Sequence, residues 1–235
     1  MPRPSSSTAD ALADVDTLGG FFALGTGPAE GVDPSWRPLD ELTGDVLDAR
    51  IDAIAEQLGG IQRRIAGSLL ALSVSARMTA LVLGSAALHG VVPRLHDRLR
   101  WRPWSGGPAP LWLPEPEPLE SDDLATTAAE EIDRSLRPTL ESIGAIAAVS
   151  DQVLWGNVAS SVGGALRVLL TERPQAGPGA GEFATAVVGK PPLAGLGEFV
   201  PAPEHPTGIR FERRTCCLFY RVPGGGTCGD CVLVT

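Results

Sequence analysis

Apolar residues recur along the chain at the spacing of a helix. Leu47, Ile51, Ile54, Leu58, Ile61 and Ile65 follow one another at intervals of four, three, four, three and four. That spacing predicts one helical stripe facing a core, with Asp48, Asp52, Glu56 and Arg63 turned to water. A second pattern, Trp155, Val158, Val162, Leu166 and Leu169, predicts a helix from about Asp151 to Glu172 that ends before Pro174. The longest apolar stretch runs from Ile65 to Pro93, and Arg77 splits it into pieces shorter than the roughly 20 residues a bilayer requires. It reads as a buried helix pair or one long core helix.

The remaining pattern is shorter in range. A helix is expected over Thr8 to Thr17, followed by a short strand at Gly19-Gly20-Phe21-Phe22 and a Gly- and Pro-rich loop through Pro38. Leu99 to Trp104 and Ala109 to Leu113 alternate around Ser105-Gly106-Gly107, which predicts a hairpin, and its prolines place it at a sheet edge. Ser121 is the expected N-cap of a helix carrying Leu124, Ile132 and Leu136, with Asp122 and Asp123 at its positive end. Pro138 is expected to interrupt that helix, with a continuation towards Val149. From Pro174 to Gly208 glycine and proline are dense, which reads as an irregular ordered connection with a strand at Phe183 to Val188; another strand is expected at Leu218 to Val222. No internal repeat is evident. The expected fold class is α+β, a helix-dominated single domain with a small β-sheet: a helical body over residues 1–208, and a C-terminal cysteine-rich segment over 209–235 packed on the same domain.

Charge narrows the partners. Nineteen basic against 28 acidic residues give a net charge of −9, and Lys190 is the only lysine. No lysine-rich patch exists to track phosphates or anionic lipid, so nucleic acid is not an expected partner. The N-terminal Met1-Pro2-Arg3-Pro4 and the serines after it contain no apolar signal-peptide core, and the expectation is a cytoplasmic protein with no integral membrane segment. Three tryptophans, Trp101, Trp104 and Trp112, crowd one region and either line a pocket or fill a core.

The chemistry lies at the C-terminus. All four cysteines fall in the last twenty residues, as Cys216-Cys217, ten residues, then Cys228-Gly229-Asp230-Cys231. Adjacent cysteines cannot comfortably bond to each other, because their Cα atoms sit about 3.8 Å apart where an unstrained disulfide wants at least roughly 4.4 Å. Cross-pairing to the other two remains open, but cytosolic thiols stay reduced. Structural zinc takes two pairs spaced by two to four residues; the Cys228/Cys231 half fits and the Cys216/Cys217 half does not. Neighbouring side chains diverge on extended backbone, which suits a wider two-iron group and places a 2Fe-2S cluster ahead of zinc. A thioredoxin-like use of Cys228 and Cys231 lacks the βαβ unit and the helix it needs. Gly224, Gly226 and Gly229 spell G-x-G-x-x-G, but no room follows for a pyrophosphate-binding helix. With Pro223 and Gly225 they make either an ordinary turn or a loop whose amides approach sulfur.

The segment from Arg213-Arg214 through Cys216-Cys217, Tyr220 and Pro223 into Cys228 and Cys231 resembles the C-terminal signature of the FhuF-type ferric siderophore reductases, which share this unusual C-C-x10-C-x2-C spacing. Leu154-Trp155-Gly156-Asn157-Val158 and the stretch from Ser75-Ala76-Arg77 to Gly90-Val91-Val92-Pro93 are also similar, though shorter and less diagnostic. The resemblance implies that Cys216, Cys217, Cys228 and Cys231 hold a 2Fe-2S cluster, and that the activity is one-electron reduction of a ferric siderophore, of hydroxamate type, releasing Fe(II). Arg213 and Arg214 are candidates for tuning that cluster or steering substrate, with surface arginines covering apolar neighbours as the rival reading. Asn157 is a candidate pocket residue or backbone-bonding group, and Trp155 reads as core. With no flavin or nicotinamide fingerprint, a separate ferredoxin, flavodoxin or flavin reductase is expected as donor. His89, His96 and His205 share no spacing with the cysteines and read as surface or helix-end residues. The alternatives are a non-enzymatic siderophore-binding or iron-sensing protein, or a zinc-stapled binding module.

Overall fold

The computed structural model describes residues 7–28 and 33–234. Six α-helices among these residues carry the fold: α1 Thr8–Asp16, α2 Asp45–Gln57, α3 Arg63–His89, α4 Leu124–Ala147, α5 Asp151–Glu172 and α6 Gly177–Val188. Helix α3 is central and packs on the other five, most extensively on α5 and α4. It is buried over most of its length, which accounts for its apolar sequence. By length and composition α3 and α5 could each cross a bilayer, but here most of the qualifying stretch is buried inside the protein.

Arg77 sits in the middle of α3 and is only 3 % exposed. Its guanidinium donates to the backbone carbonyls of Ala109, Gly20 and Phe21, at 3.0, 3.2 and 2.8 Å, and to that of Ala23. Burial pushes its pKa down to about 10, which still leaves it charged at neutral pH. Those carbonyls explain why Gly20–Phe22 is a 3₁₀ turn and not the expected strand: Gly19 and Gly20, at φ +65° and +56°, curl the chain around the guanidinium.

Two small sheets complete the body. The first has the order β1 (Gly25–Thr26), β4 (Leu111–Leu113), β3 (Arg100–Trp101), β2 (Arg37–Pro38). The expected hairpin is present as antiparallel β3 and β4, with Arg100 opposite Trp112. It occupies the middle of the sheet and not an edge, because Pro103 and Pro114 lie beyond the strand ends and remove no ladder donor. Trp101 is fully buried and donates its indole N–H to the Pro38 carbonyl at 2.9 Å, so it fills core. The second sheet pairs β5 (Gly197–Pro201) with β6 (Ile209–Arg213) antiparallel, and the 208/209 boundary falls at the turn between them.

Five further expectations are corrected. The stripe from Leu47 to Ile65 belongs to two helices, since Gly59 and Gly60, at φ +84° and +76°, break the chain between them. Helix α4 is capped by Asp123, not Ser121, through the amides of Ala125 and Thr126 at 3.1 Å. It runs unbroken past Pro138, which lies on the solvent face where the Arg134 carbonyl can turn to water. The strand expected at Phe183 to Val188 is part of α6, because Ala180, Ala184, Val187 and Val188 recur at helical spacing and are buried. The strand expected at Leu218 to Val222 is a 3₁₀ turn, Phe219–Arg221.

Two histidines serve inter-element contacts. His89 meets Asp14 of α1 at 2.9 Å, and His96 meets the buried Glu131 of α4 at 2.8 Å, whose carboxylate also accepts from the Leu95 and His96 amides. Replacing Arg77 by Met leaves four carbonyl acceptors without their shared donor. We expect it to lower unfolding free energy by roughly 3 kcal/mol in urea titration, while a loss below about 1 kcal/mol would show that the carbonyls are satisfied otherwise.

Candidate metal centre

Helix α5 is the platform on which the tail is laid. Its stripe of Trp155, Val158, Val162, Leu166 and Leu169 is matched on the far side by Gly156, Asn157, Ser160, Gly163, Gly164 and Arg167, again at helical spacing. This second stripe is made mostly of small residues, and the tail approaches it closely. A Cβ on Gly156 would overlap Thr215 Oγ1 and lie 2.8 Å from Thr215 Cβ; one on Gly163 would lie 2.6 Å from Phe211 Cβ. Glycine is required at both positions by the proximity of β6 and the residues after it.

A buried polar network fixes the start of the cysteine loop. Arg213, 3 % exposed, ends β6 and donates to the Thr215 carbonyl, to Asn157 Oδ1 at 2.8 Å and to Thr215 Oγ1 at 3.3 Å. Asn157, fully buried on α5, passes its amide N–H groups to the Ser68 carbonyl at 2.9 Å and to Ser68 Oγ at 3.0 Å. Ser68 of α3 then donates to the Cys217 carbonyl at 2.8 Å. At the far end of the loop Ser160 Oγ donates to Asp230 Oδ2 at 2.5 Å, holding the turn between Cys228 and Cys231 against α5.

The loop aims donors at sulfur. Leu218 adopts φ +67°, a left-handed conformation that a branched side chain rarely takes, and such strain concentrates at functional loops. The turn brings the Leu218 amide to 3.4 Å from Cys216 Sγ and directs the Phe219 amide at Cys217. The glycines do otherwise: the Gly225 amide bonds the Val222 carbonyl at 2.9 Å, closing a turn. Cys217 Sγ and Cys228 Sγ lie 3.4 Å apart, within hydrogen-bonding reach. The hydrogen bond with Cys228, then the Phe219 amide and the Arg213 charge, draw Cys217 down to about 7 against the opposing effect of burial; the same contact, with burial, pushes Cys228 up.

All four cysteines are free thiols, Cys217 and Cys231 buried, Cys216 and Cys228 half-buried. Among the described residues no group of three or more His, Cys, Asp or Glu is placed to hold a single ion. The sulfur–sulfur contact that is present joins Cys217 to Cys228, one thiol from each half of the motif. One further atom fits an anionic occupant: Arg213 Nη1 is buried with no hydrogen-bond partner, beside thiols whose ionisation its charge favours. Residues 213–233 match the family model described as the FhuF 2Fe-2S C-terminal domain. This tail is a FhuF-type 2Fe-2S domain. Comparison of the chain with curated proteins found no match.

The FhuF-type tail brings Arg213 and Asn157 together with the cysteines, and places Arg214 elsewhere. Arg214 is exposed and pairs with Glu198 of β5 at 2.8 Å. Trp155 is half-buried with the Arg137 guanidinium 5.1 Å from its ring centroid. Ser68, Ser160, Thr215 and Leu218 had no signal of their own in the sequence; Gly156 stood, without an assigned role, in the Leu154–Val158 segment that resembles the family, and the four-residue rhythm of small residues on α5 was the other trace.

Gly156→Ala should displace Thr215 and, through it, the Arg213 clamp. The purified variant is expected to keep helical content by circular dichroism but to carry less than about half the iron and sulfide of the parent. Gly164→Ala, where a Cβ meets nothing within 4 Å, is the matched control, and equal iron loss in both would show that the close approach at Gly156 is unimportant.

Proposed function

We propose that this protein reduces ferric iron held by a siderophore, one electron at a time, and so releases it as Fe(II) in the cytoplasm. The observation that carries the reading is the FhuF-type tail clamped by a buried arginine whose remaining donor faces no protein acceptor. When bound to Cys216, Cys217, Cys228 and Cys231, a 2Fe-2S cluster supplies single-electron transfer, the stoichiometry that converts Fe(III) to Fe(II). Oxygen-donor chelators hold the harder ferric ion far more tightly than the ferrous ion, so one electron suffices for release.

The chain's own residues set the conditions for that step. Arg213 places a fixed, desolvated positive charge beside the thiolates and favours the state with the additional electron. Asn157 and Ser68 hold that guanidinium and the Cys217 backbone in one geometry, so the charge need not reorganise as the electron arrives. The Leu218 and Phe219 amides offer hydrogen bonds that act in the same direction. Half-exposed Cys216 and Cys228 leave one side open to partners. The electron comes from a separate ferredoxin, flavodoxin or flavin reductase.

The decisive measurement is anaerobic: reduced holoprotein mixed with ferric desferrioxamine B should be reoxidised with one Fe(II) trapped by ferrozine per electron given up. An intact cluster that stays reduced would exclude the reductase reading and favour a sensor. Arg213→Met should lower the midpoint potential by on the order of 100 mV, the scale of one charge removed from a site of effective dielectric near 20, and Arg213→Lys should recover part of it. A potential unmoved in both variants, read by protein-film voltammetry, would strip Arg213 of this role.

A further inference from the structure

Beyond the metal centre, the tail forms one wall of a cleft. A cavity of about 680 Å³ lies between α5 and the β5–β6 hairpin, and Gly229 and Asp230, the two residues between Cys228 and Cys231, close one end of it. This is within the range of roughly 300–1,000 Å³ usual for small-molecule sites. It adjoins a second cavity of about 840 Å³, with Leu170, Phe199 and Ile209 lining both. Gly164 forms part of the cleft, and an added Cβ there would meet nothing within 4 Å. Gly163 beside it is filled by Phe211. The first glycine of the pair brings the hairpin in, and the second keeps the space open.

We propose that this cleft is the docking site of the ferric chelate, its balanced charge set to take a complex whose inner sphere is uncharged. The proposal rests on the reductase reading for the identity of its ligand, but the placement follows from the cleft itself. Its four charged side chains cancel: Arg167 and Arg210 against Glu204 and Asp230. Arg210 is further committed to Glu212, and Asp230 to Ser160. Arg167, exposed at the rim, has no ion-pair partner among the described residues. A ferric tris-hydroxamate has an uncharged inner sphere and apolar methylene arms; Leu166, Leu170, Phe199, Ile209 and Phe211 offer the arms apolar contact, and the other half of the lining is polar. A ferric tris-catecholate carries three negative charges and would confront Asp230 and Glu204 with a single uncommitted arginine. The adjoining 840 Å³ cavity is lined by no residue of the cysteine loop, and neither is a third, beside Trp104 and α2.

The site is tested on holoprotein with gallium(III) desferrioxamine B, a redox-inert ligand of the same charge and shape as the ferric complex. Titration calorimetry should detect binding to the parent protein, and Gly164→Trp, which puts an indole into the open space, should weaken it about tenfold or more. Arg167→Glu, a surface change that leaves the helix intact, is the second variant and should weaken binding at least about threefold. For each, the ratio of reoxidation rate by ferric desferrioxamine B to that by ferricyanide, a small oxidant that needs no cleft, should fall in step. Binding within about twofold of the parent in both variants, no binding to the parent, or equal slowing with both oxidants would overturn the site. Tighter binding of a gallium tris-catecholate would overturn the charge match on which the placement rests. Gallium binding lost in Gly164→Trp while the parent is never reoxidised by the ferric complex would keep the cleft and sink the reductase reading; reoxidation at the parental rate in Gly164→Trp would do the reverse.

Discussion

An arginine taken out of water among apolar neighbours must be given acceptors for its donors, and in this protein that requirement organises the end of the chain. Arg213 closes β6 and is satisfied by Thr215 and by Asn157 on α5. Asn157 is in turn satisfied by Ser68 on α3, and Ser68 by Cys217. Each member is bonded to the next, so none can be removed without leaving a buried polar group unpaired. The circuit has one open position, Nη1 of Arg213. A buried cation with an unspent donor is costly unless an anion stands near it, and four thiolates around two irons are such an anion.

This accounts for what could and could not be read from the chain. Helix α5 was legible to the residue, from Asp151 to Glu172, because its apolar stripe is periodic and Pro174 stops it. The metal centre was legible because cysteine is rare and its spacing carries chemical meaning. Arg213 and Arg214 could not be told apart, since adjacent residues on a strand point to opposite faces and only the tertiary pairing decides which face is inside. One is buried on α5; the other meets Glu198 in solvent. The misread elements share a cause as well. Local glycine and proline content predicts irregular or extended chain at 174–208 and at Gly19–Phe22, whereas burial of Ala180, Ala184 and Val187 makes Gly177–Val188 a helix, and convergence on Arg77 makes Gly20–Phe22 a turn.

Small residues on α5 are the less visible half of the design. An amphipathic reading counts apolar side chains and scores glycine and serine as neutral, yet Gly156, Ser160 and Gly163 are where Thr215, Asp230 and Phe211 come to rest. Their contribution is absence of volume, which has no periodic hydrophobic signal, and the backbone cost of glycine in a helix is offset by the contacts it permits.

The same stripe relates the two sites geometrically. A helix rises about 1.5 Å per residue, so Asn157, Ser160, Gly164 and Arg167 are successive stations over about 15 Å. The first holds the arginine beside the thiols, the second holds the turn between Cys228 and Cys231, and the last two belong to the cleft. A ligand seated over Gly164 is therefore about one helical turn from the residue that anchors Asp230, and the spacing is set by a rigid element rather than by a loop. Because α5 is packed on α3, that spacing is inherited from the core. Substitutions that shift α5 against α3 should accordingly disturb metal centre and cleft together, whereas substitutions confined to the cleft disturb only the second.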